Sequence, residues 1–255
     1  MKVWGIADLH LSFGVKNKEM DVFGPTWTKH YKKIEENWRK TVKDDDLVLI
    51  AGDISWGLSI ENVLPDLLWI DQLPGIKVMI KGNHDLWWKS HSKVLKILPP
   101  SIHLIHNDAF THNGVTIAGT RLWENQEINY NQYIEFRDTT GINVHQKDYS
   151  QKELEHDRKI YKKELDRLCW SIDAMDKTAS TRIVMVHYPP IGPTHEETAV
   201  TRLLDNEGID FCLYGHLHNL KKGAPVDYQL NSTKYICTAC DWLNFTPYEL
   251  VVNFL

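Results

Sequence analysis

Two patterns of apolar spacing alternate along the chain. Short continuous apolar runs fall at residues 3–7, 47–51, 76–80, 102–105, 115–119, 183–186, 211–214, 235–238 and 248–253. Each predicts a strand, and several lack the in–out alternation of a half-exposed one, so they are expected to be covered on both faces. Between them, apolar residues recur at helical spacing. Tyr31, Ile34, Trp38 and Val42 mark one helix; Ile60, Val63, Leu64, Leu67 and Leu68 mark a second, with Ser59 placed to cap it. The longest covers roughly 150–177, where Leu154, Arg158, Tyr161, Leu165, Leu168, Ile172 and Met175 step by four and three. It is the only such segment and Arg158 interrupts its stripe, so it is expected to cover a sheet and not to pair with another long helix.

Strand–helix alternation followed by a strand-rich end predicts a layered α/β architecture, one domain over residues 1–255. No repeat, linker or low-complexity stretch suggests a boundary. Residues 12–29 and 124–149 are long for connections in a compact domain and are expected to be functional loops or lids.

Composition changes this picture little. The 255 residues can bury a large core, and 42% hydrophobic with 25% charged residues is ordinary for a soluble protein. A net charge of −5 argues weakly against nucleic acid or an anionic membrane as partner. The first residues run straight into a strand, with no room for a signal sequence, and no apolar run approaches the ~20 residues of a spanning helix. A cytoplasmic protein with no membrane partner is expected. Cys237 and Cys240 form a C-x-x-C, but a zinc ribbon needs a second pair and a redox pair sits at a helix start. With Cys169 and Cys212 they are expected to be plain thiols, the C-x-x-C pair buried in strand-like surroundings.

The candidate chemistry lies just after the strands. Asp8 and His10 follow the first, Asp53 the second, and Asn83, His84 and Asp85 the third; His187 follows 183–186, and His216 and His218 follow 211–214. In open α/β sheets, groups at the carboxyl ends of strands converge on one crevice. Carboxylate, imidazole and amide together suit borderline divalent ions such as Mn, Fe or Zn. One Asp-x-His or Gly-Asp means little alone. Three polar residues in a row after a buried strand are hard to explain by packing, and in His-x-His alternate side chains point the same way. The glycines before Asp53, Asn83 and His216 are expected to let the chain turn sharply.

In this order, D-x-H, G-D, G-N-H-D, H and G-H-x-H, the motifs resemble those of the calcineurin-like metallophosphoesterase superfamily, from Asp8 to His218. The resemblance implies a four-layer αββα sandwich of two mixed sheets flanked by helices, with two divalent ions at the strand ends. It also implies the division of labour. Asp8, His10, Asp53 and His218 hold one ion; Asp53, Asn83, His187 and His216 hold the other; Asp53 bridges. His84 faces the phosphate without binding metal, and Asp85 orients its imidazole. The expected reaction is hydrolysis of a small-molecule phosphomonoester or phosphodiester by a hydroxide shared between the ions, with His84 stabilising or protonating the departing oxygen. Two rivals are a non-catalytic scaffold on the same fold, disfavoured because every motif residue is intact, and a nuclease or cyclic-nucleotide phosphodiesterase, for which no basic DNA-binding domain is evident. Arg121 is open between a substrate-phosphate contact and an ion pair, and His195 is expected on a solvated loop. Trp87 and Trp88 are expected to pack beneath the site. His30, His91, His103, His106, His112, His145 and His156 are expected to be structural or at the surface.

Overall fold

The computed structural model describes residues 1–135 and 150–252. In chain order the strands are β1 (Val3–Ile6), β2 (Leu47–Ile50), β3 (Ile76–Met79), β4 (Ile102–Leu104), β5 (Ala109–His112), β6 (Val115–Thr120), β7 (Thr181–Val186), β8 (Phe211–Tyr214), β9 (Tyr228–Leu230), β10 (Thr233–Cys237) and β11 (Tyr248–Leu250). The α-helices are α1 (His30–Thr41), α2 (Ile60–Asp71), α3 (His91–Val94), α4 (Gln151–Asp173) and α5 (Ala199–Asn206). All nine predicted strands are present. Residue 253 of the last, residues 136–149 of the second long connection, and His145 lie outside the described residues.

The strands form two mixed sheets. One is ordered β11-β1-β2-β3-β4, parallel except for β11; the other is β5-β6-β7-β8-β10-β9, with antiparallel strands only at its two edges. Their facing surfaces share one core, in which Val3, Leu47, Leu49 and Val78 meet Ile117, Ile183, Met185 and Leu213. The alternate residues point outward. Trp4, Ile6, Val48 and Ile50 pack on Ile34 and Trp38 of α1 and on Val63 and Leu67 of α2. On the far side, Ala118, Val184 and Cys212 pack on Leu168 and Ile172 of α4 and on Val200 and Leu204 of α5. Strands covered on both faces thus account for the missing alternation, and the result is the four-layer α/β sandwich expected.

The helix signals are borne out at their starts. Ser59 Oγ accepts the Asn62 N–H ahead of α2. Ser150 and Glu153 form a reciprocal capping box at α4, which lies on the second sheet as a cover and not against a partner helix. Cys212, Cys237 and Cys240 are buried and all four cysteines are free. Among the described residues no helix is long and apolar enough to cross a membrane.

Two backbone bonds bring the active rims of the sheets together. The N–H of Ala7, just past β1, donates to Thr238 O at 2.7 Å, and Cys240 N–H donates to Ala7 O at 3.1 Å. The carboxyl ends of the parallel strands in both sheets therefore open on the same side.

Candidate metal centre

Each loop beyond a strand is tied to its neighbour by main-chain bonds. Asp8 N–H donates to Gly52 O, His10 N–H to Asp53 O, and Leu11 N–H to Ile54 O, so the segments after β1 and β2 run side by side. In the second sheet, His187 N–H donates to Arg121 O and Gly215 N–H to His187 O. The side chains the sequence singles out converge on this seam: Asp8, His10, Asp53 and Asn83 from the first sheet, His187, His216 and His218 from the second.

Backbone geometry is unusual here. Asp8, His10, Asp53 and His216 all have left-handed φ, between 44° and 71°. Non-glycine residues in that region cost roughly 1–3 kcal/mol each and cluster at functional sites. The glycines act differently from the expected sharp turns. Gly52 does have φ of 92°, but Gly82 and Gly215 are needed for space: a Cβ on Gly82 would collide with the Asp53 carboxylate, and one on Gly215 would lie 2.5 Å from Asp8 Oδ2.

The donor atoms form two overlapping groups, Asp8 with His10 and His218, and Asp8 with Asp53 and His187. His10 Nε2 and His218 Nε2 are 3.1 Å apart, and His218 Nε2 is 3.6 Å from Asp8 Oδ1. Asp53 Oδ2 sits between the groups, 3.7 Å from His10 Nε2 and 3.4 Å from His187 Nε2. Asn83 Oδ1 faces His187 Nε2 at 2.7 Å and His216 Nδ1 at 3.1 Å. All seven predicted ligands are thus gathered, with Asp53 reaching both sides.

The outer nitrogens and oxygens are anchored. His187 Nδ1 is 2.9 Å from Ala51 O, which fixes the ring with Nε2 inward. Asp53 Oδ1 accepts the His84 N–H at 2.8 Å, and the Asp8 carboxylate accepts the His216 N–H. Two buried carboxylates amid four imidazoles create an electrostatic conflict. Burial pushes Asp8 up to about 7, against the pull of His218 and His187. Burial also opposes ionisation of Asp53, yet the facing His187 holds it well below the usual carboxylate range. Burial alone would lower His187 and His218, but Asp53 raises the first and Asp8 with Asp241 the second, each to about 9. Burial drives His10 and His216 well below the ordinary histidine value. Divalent cations would fit this donor set: they would neutralise both carboxylates, take the inward lone pairs of His10 and His216, which burial keeps neutral, and replace the protons on His187 and His218.

Asp85 does not take the place expected of it. Its Oδ1 accepts from the N–H groups of Ile54 and Ser55 and from Trp87 Nε1, and its Oδ2 accepts from Gly82 N–H. These bonds organise the loops that carry Asp53 and Asn83. The reason is position: Asp85 is fully buried beneath the loops, where unpaired main-chain donors need an acceptor. His84 instead lies against the indole of Trp56, ring centroids 4.3 Å apart, and Trp56 also stacks on His10 at 5.0 Å.

Trp56 is one of several residues that sequence reasoning missed. Asp241 Oδ1 is 2.9 Å from His218 Nδ1, and its Oδ2 accepts the Asn219 N–H. Trp27, from the long connection after β1, is buried edge-on against His218 and His10. Asp66 of α2 accepts the Phe13 N–H and the Ser55 hydroxyl, fastening that connection to the loop bearing Trp56. The only sequence signal for any of these was the length of the connection at 12–29.

The less certain residues resolve in part. Trp87 and Trp88 are buried, as expected. His195 stacks on Tyr228 at 4.1 Å. Arg121 pairs with Glu164 at 3.5 Å and lies over the Trp123 ring, its carbonyl holding the His187 main chain. His30 is buried, its Nε2 bonded to Leu9 O.

Comparison with known proteins agrees with this reading. The family model for calcineurin-like phosphoesterases matches residues 1–220. The gene 66 protein of Mycobacterium phage D29 is 37% identical over 83 residues, which cover 32% of this chain and 40% of the phage protein. Its counterpart in phage L5 is 36% identical over 86 residues, 32% of this chain and 39% of that protein. The matched segments thus span well under half the length of these curated relatives. Among solved structures, the phosphopantetheinyl hydrolase of Mycobacterium tuberculosis superposes with a TM-score of 0.54 at 12% identity, over 99% of this chain and 96% of that one. A protein of unknown function from Aquifex aeolicus gives 0.50 at 17% identity, over 97% and 95%. At these identities the structural likeness concerns the fold.

Proposed function

The chain belongs to the calcineurin-like phosphoesterase family, and on that premise we propose that it is a cytoplasmic, two-metal hydrolase of a phosphomonoester or phosphodiester. The observation that carries this reading is Asp53 Oδ2, placed between His10 Nε2 and His187 Nε2 with Asn83 and His216 beyond it. Asp8, His10, Asp53 and His218 would hold one divalent ion, and Asp53, Asn83, His187 and His216 the other, with Mn, Fe or Zn suited to the donors. Bound there, such ions would supply positive charge for the phosphoryl oxygens and would acidify a water to act as nucleophile near neutral pH.

The chain's own residues do the rest. His84, half-buried at the mouth, meets the substrate phosphoryl group, and its ring is held by Trp56 while its N–H fixes Asp53. Burial lowers the His84 pKa, so the ring resting there is mostly neutral, and once protonated beside a phosphate it would be a stronger acid toward a departing alkoxide than a free imidazolium. Asp241 keeps His218 oriented, as a carboxylate behind a metal-binding imidazole does. The loops carrying these groups also exclude bulk water, which strengthens every charge interaction within.

The test is a screen of p-nitrophenyl phosphate, bis-p-nitrophenyl phosphate and nucleotides against Mn-loaded protein, with chelated protein alongside. Metal-dependent turnover of at least one class is expected. Its absence throughout would favour the scaffold reading.

A further inference from the structure

A polar cavity lies at the same rim, lined by the segments that follow β3 and β4 and by the end of β6. Its volume is about 230 Å³. Lys81 enters from beyond β3, Arg121 from beyond β6, and Arg167 from α4; Trp88, His91 and His106 form a wall. His91 and His106 stack at 4.8 Å, and Trp88 stacks on His91 at 6.1 Å.

Its charge is unbalanced. Lys81, Lys89, Arg121 and Arg167 line it, with Glu164 as the only carboxylate among its lining residues. Glu164 is itself buried and already engaged: Oε1 accepts from Arg167 at 2.7 Å and faces Arg121 at 3.5 Å, while Oε2 accepts from Thr120. Burial, His91 and Arg167 push the His106 pKa down, so that ring tends not to add a further charge.

Its donors are also unspent. Among the described residues, six buried side-chain nitrogen or oxygen atoms lack a hydrogen-bond partner, and three of them belong to residues that line this cavity: Trp88 Nε1, His91 Nδ1 and Arg121 Nε. Trp88 is only 3% exposed. A buried donor without an acceptor costs about 1–3 kcal/mol, and three at one place mark a missing acceptor. Trp88 Nε1 and Arg121 Nε can only donate, so the missing ligand carries acceptor oxygens. Excess positive charge requires that it be an anion.

We propose that this cavity is an anion subsite for a phosphate group, held by Arg121, Arg167 and Lys81 and by the Trp88 indole N–H, separate from the metal centre. Phosphate fits because planar guanidinium groups pair with it bidentately and its oxygens accept several donors at once. The phosphate is either free or a non-scissile group of the substrate. The subsite does not depend on the metal centre being hydrolytic.

Equilibrium dialysis of the metal-loaded protein with labelled orthophosphate tests this. Wild-type protein is expected to bind one more phosphate per chain than Arg167→Gln. Trp88→Phe, which keeps an aromatic ring and loses the N–H, is expected to weaken the same site roughly tenfold, as loss of one charge-assisted bond does. Equal stoichiometry and affinity in wild type and both variants, each with native circular dichroism, would overturn the proposal. Kinetics then separates the two sources. If Arg167→Gln raises KM for a nucleoside 3′,5′-bisphosphate and not for p-nitrophenyl phosphate, the bound group belongs to the substrate; if neither KM changes while dialysis shows the lost site, it is free phosphate.

Discussion

Asp241 holds the imidazole of His218 from behind, Oδ1 to Nδ1 at 2.9 Å, and so turns Nε2 toward Asp8. Removing the charge should loosen the ring and lower its basicity. Asp241→Asn is expected to weaken metal binding roughly 10–100-fold. Metal titration followed by elemental analysis measures this; unchanged affinity would show that Asp241 only fastens Asn219.

Trp56 bears on two rings at once, His84 and His10. Trp56→Ala should let His84 wander from its working position and lower kcat roughly ten- to a hundredfold. Trp56→Phe should recover much of the loss. Metal content is expected to hold in both, which separates ring positioning from collapse of the site.

His84 and Asp53 divide the labour differently. His84→Ala is expected to lower kcat roughly 10²–10⁴-fold with both ions retained. Asp53→Asn is expected to lose metal, since its carboxylate reaches both donor groups. Normal turnover in the first, or full occupancy in the second, would contradict these roles.

Asp66 gives a stability signature. Burial raises its pKa from 3.8 to about 6, although Ser55 and the Phe13 N–H both favour the charged form. The folded state therefore holds a proton that the unfolded chain releases between pH ~4 and ~6. This group's contribution falls as pH rises through that window, and its cost is fully present above it. Asp66→Asn removes the titration and can still bond to both partners. Urea unfolding at pH 4 and pH 7 should show the variant gaining on wild type as pH rises; a constant difference would place the Asp66 pKa at its ordinary value.

The residues that read most clearly in the sequence are those fixed by local pattern. A continuous apolar run followed by polar residues needs no tertiary knowledge to be recognised, and the seven candidate ligands all stand just after such runs; their division into two groups came from the family resemblance. β5 and β9 were not: β5 is half-exposed with no apolar run, and β9 has three residues. Helix α5 carried a usable signal, Thr198 with Thr201 forming its capping box. Asp241 and Trp56 were illegible for a different reason. Each matters only through a partner distant in the chain or on another loop, and neither sits in a motif. The place expected of Asp85 came from the family resemblance alone, whereas here burial gives its carboxylate four main-chain and indole donors to satisfy.

The division of ligands between the sheets has a mechanical meaning. Asp8, His10, Asp53 and Asn83 belong to one leaf of the sandwich and His187, His216 and His218 to the other. Cations bound between them would act as a rivet through the open rim, adding to the apolar layer, the main-chain bonds at the end of β1 and the side-chain bonds from His187 to Ala51 and from His216 to Asp8 that already join the leaves. Metal supply would then govern how firmly the leaves are joined as well as whether the centre turns over, by the mass action that couples any ligand to the folded state.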